Sequence, residues 1–151
     1  MLPIVLSLDD DPSSHILMRA FLEDEDFCEH FISATNPQQG LEILKRLAAD
    51  PHSSLPTLIL CDIHMPEMSG WEFVNQAAPY LAMSKEKKSG AETVIIMLSG
   101  TATNEDEALA AANPLIHGLH IKPLSTKLLA KLRELDSLRK YFAPVARQSC
   151  L

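Results

Sequence analysis

Apolar positions along the chain follow two alternating rhythms, short unbroken runs and longer stretches with helical spacing. Residues 4–8 are a short apolar run with Ser7 inside it. Residues 12–24 place Ile16, Leu17, Ala20 and Phe21 on a helical stripe, with Asp11 as cap and Pro12 in the first turn. Residues 31–34 read as a weaker strand. Asn36-Pro37 then gives a cap followed by proline at the first helical position, and Leu41, Leu44 and Leu47/Ala48 mark the helix behind it. Residues 57–61 are apolar after Thr57, as in a strand covered on both faces. A helix is expected from Ser69 or Gly70 to about Met83, a polar loop over 84–91, and a buried strand over 94–98. Thr103 and Asp106 form a capping-box pattern ahead of an Ala-rich helix. Residues 119–121 are a short last strand. Ser125 caps a long helix with Leu128, Leu132 and Leu135 on one face, and a loosely held tail follows Lys140.

The order is βα five times over. It predicts a doubly wound parallel sheet with helices on both faces. In such sheets ligands bind beyond the carboxyl ends of the strands, at the topological switch point.

Length and composition fit this picture. The chain has 151 residues, 46% hydrophobic and 22% charged, enough for one domain with its own core. A net charge of −7 argues against a sequence-independent grip on nucleic acid. The Lys85-Glu86-Lys87-Lys88 cluster reads as a solvated loop. Cys28, Cys61 and Cys150 have no zinc spacing and suit a reducing cytoplasm, with Cys61 as a small buried residue. The N-terminus lacks the basic region of a signal peptide, and no apolar stretch approaches the ~20 residues that span a bilayer. A cytoplasmic protein is therefore expected.

The strand ends carry the chemistry. Asp9, Asp10 and Asp11 follow the first strand and Asp62 the third. Ser99 and Gly100 follow the fourth, and Lys122 and Pro123 the fifth. If these ends share one rim, the carboxylates repel each other unless protonated, paired or bound to a cation. Mg²⁺, which takes oxygen ligands and retains waters, relieves that repulsion. A carboxylate beside Mg²⁺ is also a nucleophile toward phosphorus, and lysine, hydroxyl and backbone N–H groups stabilise the transferred phosphoryl oxygens.

The pieces "LSLDDDP" (6–12), "LILCDIHMPEMSGWEF" (58–73), "VIIMLSG" (94–100) and "HIKPLS" (120–125) occur in this order, and the chain resembles the receiver domains of two-component response regulators. The resemblance spans residues 4 to about 140. It implies a flavodoxin-like sheet of order 2-1-3-4-5, with a receiver domain over 1–142 and a C-terminal tail over 143–151. It implies that Asp62 accepts a phosphoryl group from a phosphohistidine of a sensor histidine kinase or phosphotransfer protein, with Mg²⁺ as cofactor. Asp9 and Asp10 match the metal-holding pair, Asp10 directly and Asp9 through water, and Asp62 and the backbone carbonyl of His64 match the remaining ligands. Ser99, Gly100, Lys122 and His64 match the groups that meet the phosphoryl oxygens, and Pro123 matches a cis-proline. Leu119 stands where many receivers carry Tyr or Phe, so an aromatic switch is not expected. His64 and Thr101 lie where the family varies its dephosphorylation rate.

The implied role is a signalling switch rather than an enzyme: phosphorylation alters a surface near the fourth helix, fifth strand and fifth helix that a downstream protein reads. A phosphorylation-dependent dimer and release of a partner both stay open. The tail after Lys140 has no room for an output domain, so a stand-alone module without nucleic-acid or membrane contacts is expected. Two alternatives compete. A Mg²⁺-dependent aspartyl-phosphate phosphatase would carry a second acid two residues after the nucleophile, where this chain has His64. A receiver-like binding module that does not use phosphate would have no need of every core group. Outside the rim, Asp11 reads as a helix cap, and Trp71 and Phe73 as packing residues. His15 is expected near the site mouth or in solvent. His117 and His120 flank a strand whose faces alternate and are not expected to form a metal pair.

Overall fold

A computed structural model describes residues 1–86 and 92–143. Parallel strands β1 (Leu2–Leu8), β2 (Cys28–Ala34), β3 (Leu58–Asp62), β4 (Val94–Ser99) and β5 (Ile116–Ile121) alternate with helices α1 (Pro12–Asp24), α2 (Pro37–Ala49), α3 (Gly70–Glu86), α4 (Asn104–Ala112) and α5 (Thr126–Glu134). The sheet order is β2-β1-β3-β4-β5, as the resemblance implied. The switch point therefore lies between β1 and β3, where the winding reverses.

The helix starts are set by local chemistry. Asp11, Asn36, Thr103 and Ser125 each cap a helix by accepting a backbone N–H, and Thr103 and Asp106 complete the capping box. Strand side chains alternate between two cores. Leu6, Leu8, Ile59, Cys61, Ile95 and Met97 face α2 and α3, meeting Leu44 and Phe73. Val5, Leu58, Leu60, Val94, Ile96 and Leu98 face α1 and α5, meeting Leu22 and Leu129. Both faces of β3 and β4 are thus covered, which is why their sequences are continuously apolar.

Several elements differ from the sequence expectation. β1, β2 and β5 begin earlier than their apolar runs, because pairing with a neighbour extends them: Leu2 pairs with Cys28 and Ile4 with His30, and Ile116 pairs with Ile95. On α1 the buried residues are His15, Met18 and Leu22, while Ile16 and Leu17 are 71% and 72% exposed. The inward stripe is rotated by one position relative to the apolar one. α3 continues to Glu86, so the first part of the expected 84–91 loop is helical. Residues 87–91 lie outside the described residues.

α5 is shorter than expected. Leu135 leaves the helix with φ −61° and ψ 136°, and a 3-10 turn follows at Arg139–Tyr141. This segment is packed rather than loose. Leu138 is fully buried. The Phe142 and Phe27 ring centroids lie 5.2 Å apart, with the Arg133 guanidinium near both rings. The Met1 ammonium donates to the Tyr141 carbonyl at 2.5 Å. The remainder of the expected tail, 144–151 with Cys150, lies outside the described residues. No helix among the described residues is long and apolar enough to cross a membrane.

Candidate functional site

Strand register brings the rim together. Leu8 pairs with Cys61, Asp62 with Leu98 and Ser99 with Ile121, so Asp9, Asp62, Ser99 and Lys122 leave the sheet at neighbouring levels. Carboxylate oxygens of Asp9, Asp10 and Asp62 all lie within 4.8 Å of one another. Asp9 and Asp62 are buried and Asp10 is exposed. The Lys122 ammonium closes the cluster, 2.7 Å from Asp9 Oδ2 and 3.4 Å from Asp62 Oδ2. The Lys122–Pro123 peptide is cis.

Backbone geometry supports these positions. The Asp11 N–H donates to Asp9 Oδ1 at 2.9 Å, and the His64 N–H to Asp62 Oδ1 at 3.3 Å. Behind Asp62, the Gly70 N–H donates to the Ile63 carbonyl at 2.8 Å. A Cβ on Gly70 would stand 2.4 Å from the Asp62 carbonyl oxygen and 2.8 Å from a Met97 methyl, so only glycine lets α3 start this close to β3. Cys61 is fully buried, and burial together with the Asp62 charge pushes its thiol pKa far up, so it is a packing residue.

The three titrating groups of the site are displaced by one another. Burial raises the Asp62 carboxyl; Lys122 draws it down, the Asp9 charge pushes it up again, and it ends above the ordinary carboxylate value. Burial also raises Asp9, but the Lys122 and Asp11 hydrogen bonds outweigh it and hold Asp9 below that value. Burial lowers Lys122, and its contacts with Asp9 and Asp62 more than restore it, keeping the ammonium charged. One lysine among three carboxylates leaves roughly two negative charges when all are ionised, a balance a divalent cation completes. The donors are hard oxygens with no thiolate or imidazole among them, and that fits Mg²⁺.

Other sequence-predicted residues sit differently. Ser99 is fully buried. Its hydroxyl is not on the carboxylates: it donates to the Thr101 carbonyl at 2.5 Å and accepts the Thr101 N–H at 3.3 Å. Gly100 is exposed, with open space where a Cβ would project. The His64 side chain is exposed. Leu119 is half-buried against the α2–α3 core, a packing position. His117 and His120 both lie within β5 rather than flanking it. His117 Nδ1 accepts the Ile95 N–H at 3.2 Å, so it serves the sheet.

His15 was missed. It is neither at the site mouth nor in solvent, but buried under the end of β1, with Nε2 2.9 Å from the Asp9 carbonyl oxygen. The signal in the sequence was its place in the helical register with Met18 and Leu22.

A family model described as the response regulator receiver domain matches residues 5–133. An uncharacterized 14.6 kDa protein in the sodA1 3' region of Leptolyngbya boryana is 32% identical over 106 residues, covering 70% of this chain and 69% of that protein. The sensor histidine kinase CheAY of Helicobacter pylori is 34% identical over 77 residues, 51% of this chain but only 9% of the kinase. A solved two component response regulator from Cytophaga hutchinsonii superposes with a TM-score of 0.75 at 25% identity, covering 86% of this chain and 92% of that one.

Proposed function

The chain belongs to the response regulator receiver domain family, and we propose that Asp62 is its phosphoacceptor, taking a phosphoryl group from a phosphohistidine of a kinase or phosphotransfer protein. Receiver domains are signalling switches that bind Mg²⁺ in an acidic pocket and interact with such kinases and phosphotransfer proteins. The observation that carries the reading is the Lys122 ammonium lying within 3.4 Å of both Asp9 and Asp62 at the strand ends.

In this reading an Asp62 carboxylate oxygen attacks phosphorus. The P–O bond forms as the P–N bond to the donor imidazole breaks, and the imidazole leaves with that electron pair. Asp9, Asp10 and Asp62 with the His64 carbonyl would hold Mg²⁺, which would supply charge neutralisation at the phosphoryl oxygens. Lys122, already charged and fixed by Asp9, bonds a phosphoryl oxygen without reorganising. Ser99 gives up its bond to the Thr101 carbonyl to donate to another, drawing the loop that contains Gly100 inward. That movement changes the surface beside α4 and β5, which a downstream protein reads. Residues 1–142 carry the whole switch.

Incubation with acetyl phosphate and Mg²⁺, followed by intact-mass measurement, tests the reading. The expected result is a gain of one phosphoryl group that is abolished by EDTA and by Asp62→Asn. An equal gain in Asp62→Asn would remove the acceptor from that residue.

A further inference from the structure

We propose that His15 is a positioning residue for the acidic pair, its Nε2–H fixing the peptide plane between Asp9 and Asp10. The proposal rests on reading that pair as the Mg²⁺ site. His15 projects from α1 into the seam between the ends of β1 and β2 and is 6% exposed. Its Nε2 lies 2.9 Å from the Asp9 carbonyl oxygen and 3.2 Å from that of Ala34. Both neighbours only accept, so Nε2 carries the proton and donates to them.

The Ala34 carbonyl also accepts the Asp9 N–H at 3.2 Å. Both backbone polar groups of Asp9 are therefore tied to one small assembly. The Asp9 carbonyl and the Asp10 N–H share a rigid peptide plane. Fixing the carbonyl sets ψ of Asp9 and φ of Asp10, and with them the directions in which both carboxylates leave the chain.

The imidazole is itself oriented. The Phe31 ring meets it edge-on, with centroids 6.5 Å apart, and the Arg19 guanidinium covers Phe31 at 5.3 Å. Nδ1 is buried without a partner among the described residues. A leucine would fill this space without a partnerless Nδ1. What a leucine cannot do is donate to the strand-end carbonyls. The side chain is thus matched to its Nε2 bonds, and support of this kind behind metal-holding carboxylates tunes their affinity.

The test compares Mg²⁺ affinity by calorimetry in the unaltered protein, His15→Phe and His15→Gln, with melting curves taken without Mg²⁺. Phenylalanine keeps a ring and removes the donor; glutamine restores an amide N–H at similar reach. The expected result is about tenfold weaker Mg²⁺ binding in His15→Phe and recovery of most of it in His15→Gln. Unchanged affinity in a folded His15→Phe overturns the proposal, whatever its melting temperature. If His15→Phe does not fold, His15→Gln decides: near-normal affinity supports the role and a tenfold loss overturns it. Long-range ¹H–¹⁵N spectra of the unaltered protein give an independent readout. Protonated Nε2 with bare Nδ1, shifting when Mg²⁺ is added, is expected, and an Nδ1-protonated ring overturns the assignment. Failure of the unaltered protein to bind Mg²⁺ overturns the reading of the acidic pair and the proposal together. Normal binding insensitive to His15→Phe removes His15 alone.

Discussion

Lys122 reaches Asp9 across 113 residues of sequence and donates to its carboxylate at 2.7 Å, closer than its 3.4 Å approach to Asp62. The lysine is anchored on Asp9, and its ammonium is thereby held beside Asp62 at the rim.

Removing that anchor exposes its energetic role. Lys122→Met leaves the buried Asp9 carboxylate with fewer partners and should cost about 1–3 kcal/mol at neutral pH. Asp9 is held below its ordinary value of 3.8 in the fold. Its stabilising contribution is therefore present above 3.8 and lost as pH falls through the folded value. Urea unfolding as a function of pH should show a large gap between the two proteins at pH 7 that narrows toward the acid end.

Asp62 has the opposite sign. Its carboxyl is raised in the fold by burial, only partly relieved by Lys122. Its contribution is most favourable below 3.8 and is lost as pH rises through the folded value, so the ionised form is a burden at neutral pH. Asp62→Asn should melt a few degrees higher than the unaltered protein at pH 7, a change on the order of 1 kcal/mol. Below about pH 3 that advantage should vanish.

Mg²⁺ should stabilise the fold by mass action, by about 2.7 kcal/mol at a hundredfold excess over its dissociation constant. Asp10 is exposed, so Asp10→Asn should barely change the melting temperature in EDTA while removing most of the upward shift on adding Mg²⁺. Paired melting curves read both effects.

The segment after α5 should matter to stability, although the family model ends at residue 133. Leu138 has no exposed surface, and Leu138→Ala should cost about 2–4 kcal/mol. Phe142→Ala, which strips the Phe27 ring of its partner, should cost less because Phe142 is only half-buried. Urea midpoints of the two variants give the order.

The parts legible in the sequence are those that local chemistry writes. Asp11, Asn36, Thr103 and Ser125 are caps because their side chains fit a helix start, and the runs at 57–61 and 94–98 are apolar because both faces are covered. Asp9, Asp10, Asp62 and Lys122 were readable as a set because a parallel sheet levels its strand ends. His15 was not, since a polar residue on a helix with Ile16 and Leu17 beside it suggests the outward face. Only the carbonyls of Asp9 and Ala34, brought together by β1–β2 pairing, make its burial favourable. The bond between Ser99 and Thr101 was equally hidden, as it depends on a loop conformation with no periodic signal. The end of α5 was overextended because Leu135 continues the leucine spacing while its backbone has already turned.

The contact between Met1 and Tyr141 places both ends of the described chain at one pole of the sheet, opposite the rim that holds Asp62. The strands between the poles are up to seven residues long, roughly 23 Å. A fluorophore attached covalently at Met1 or Tyr141 would stand clear of the Asp62 rim. Such a passenger would respond only to a deformation carried along the helices and strands, which makes this pole a quiet handle for immobilising the molecule while the other end reacts.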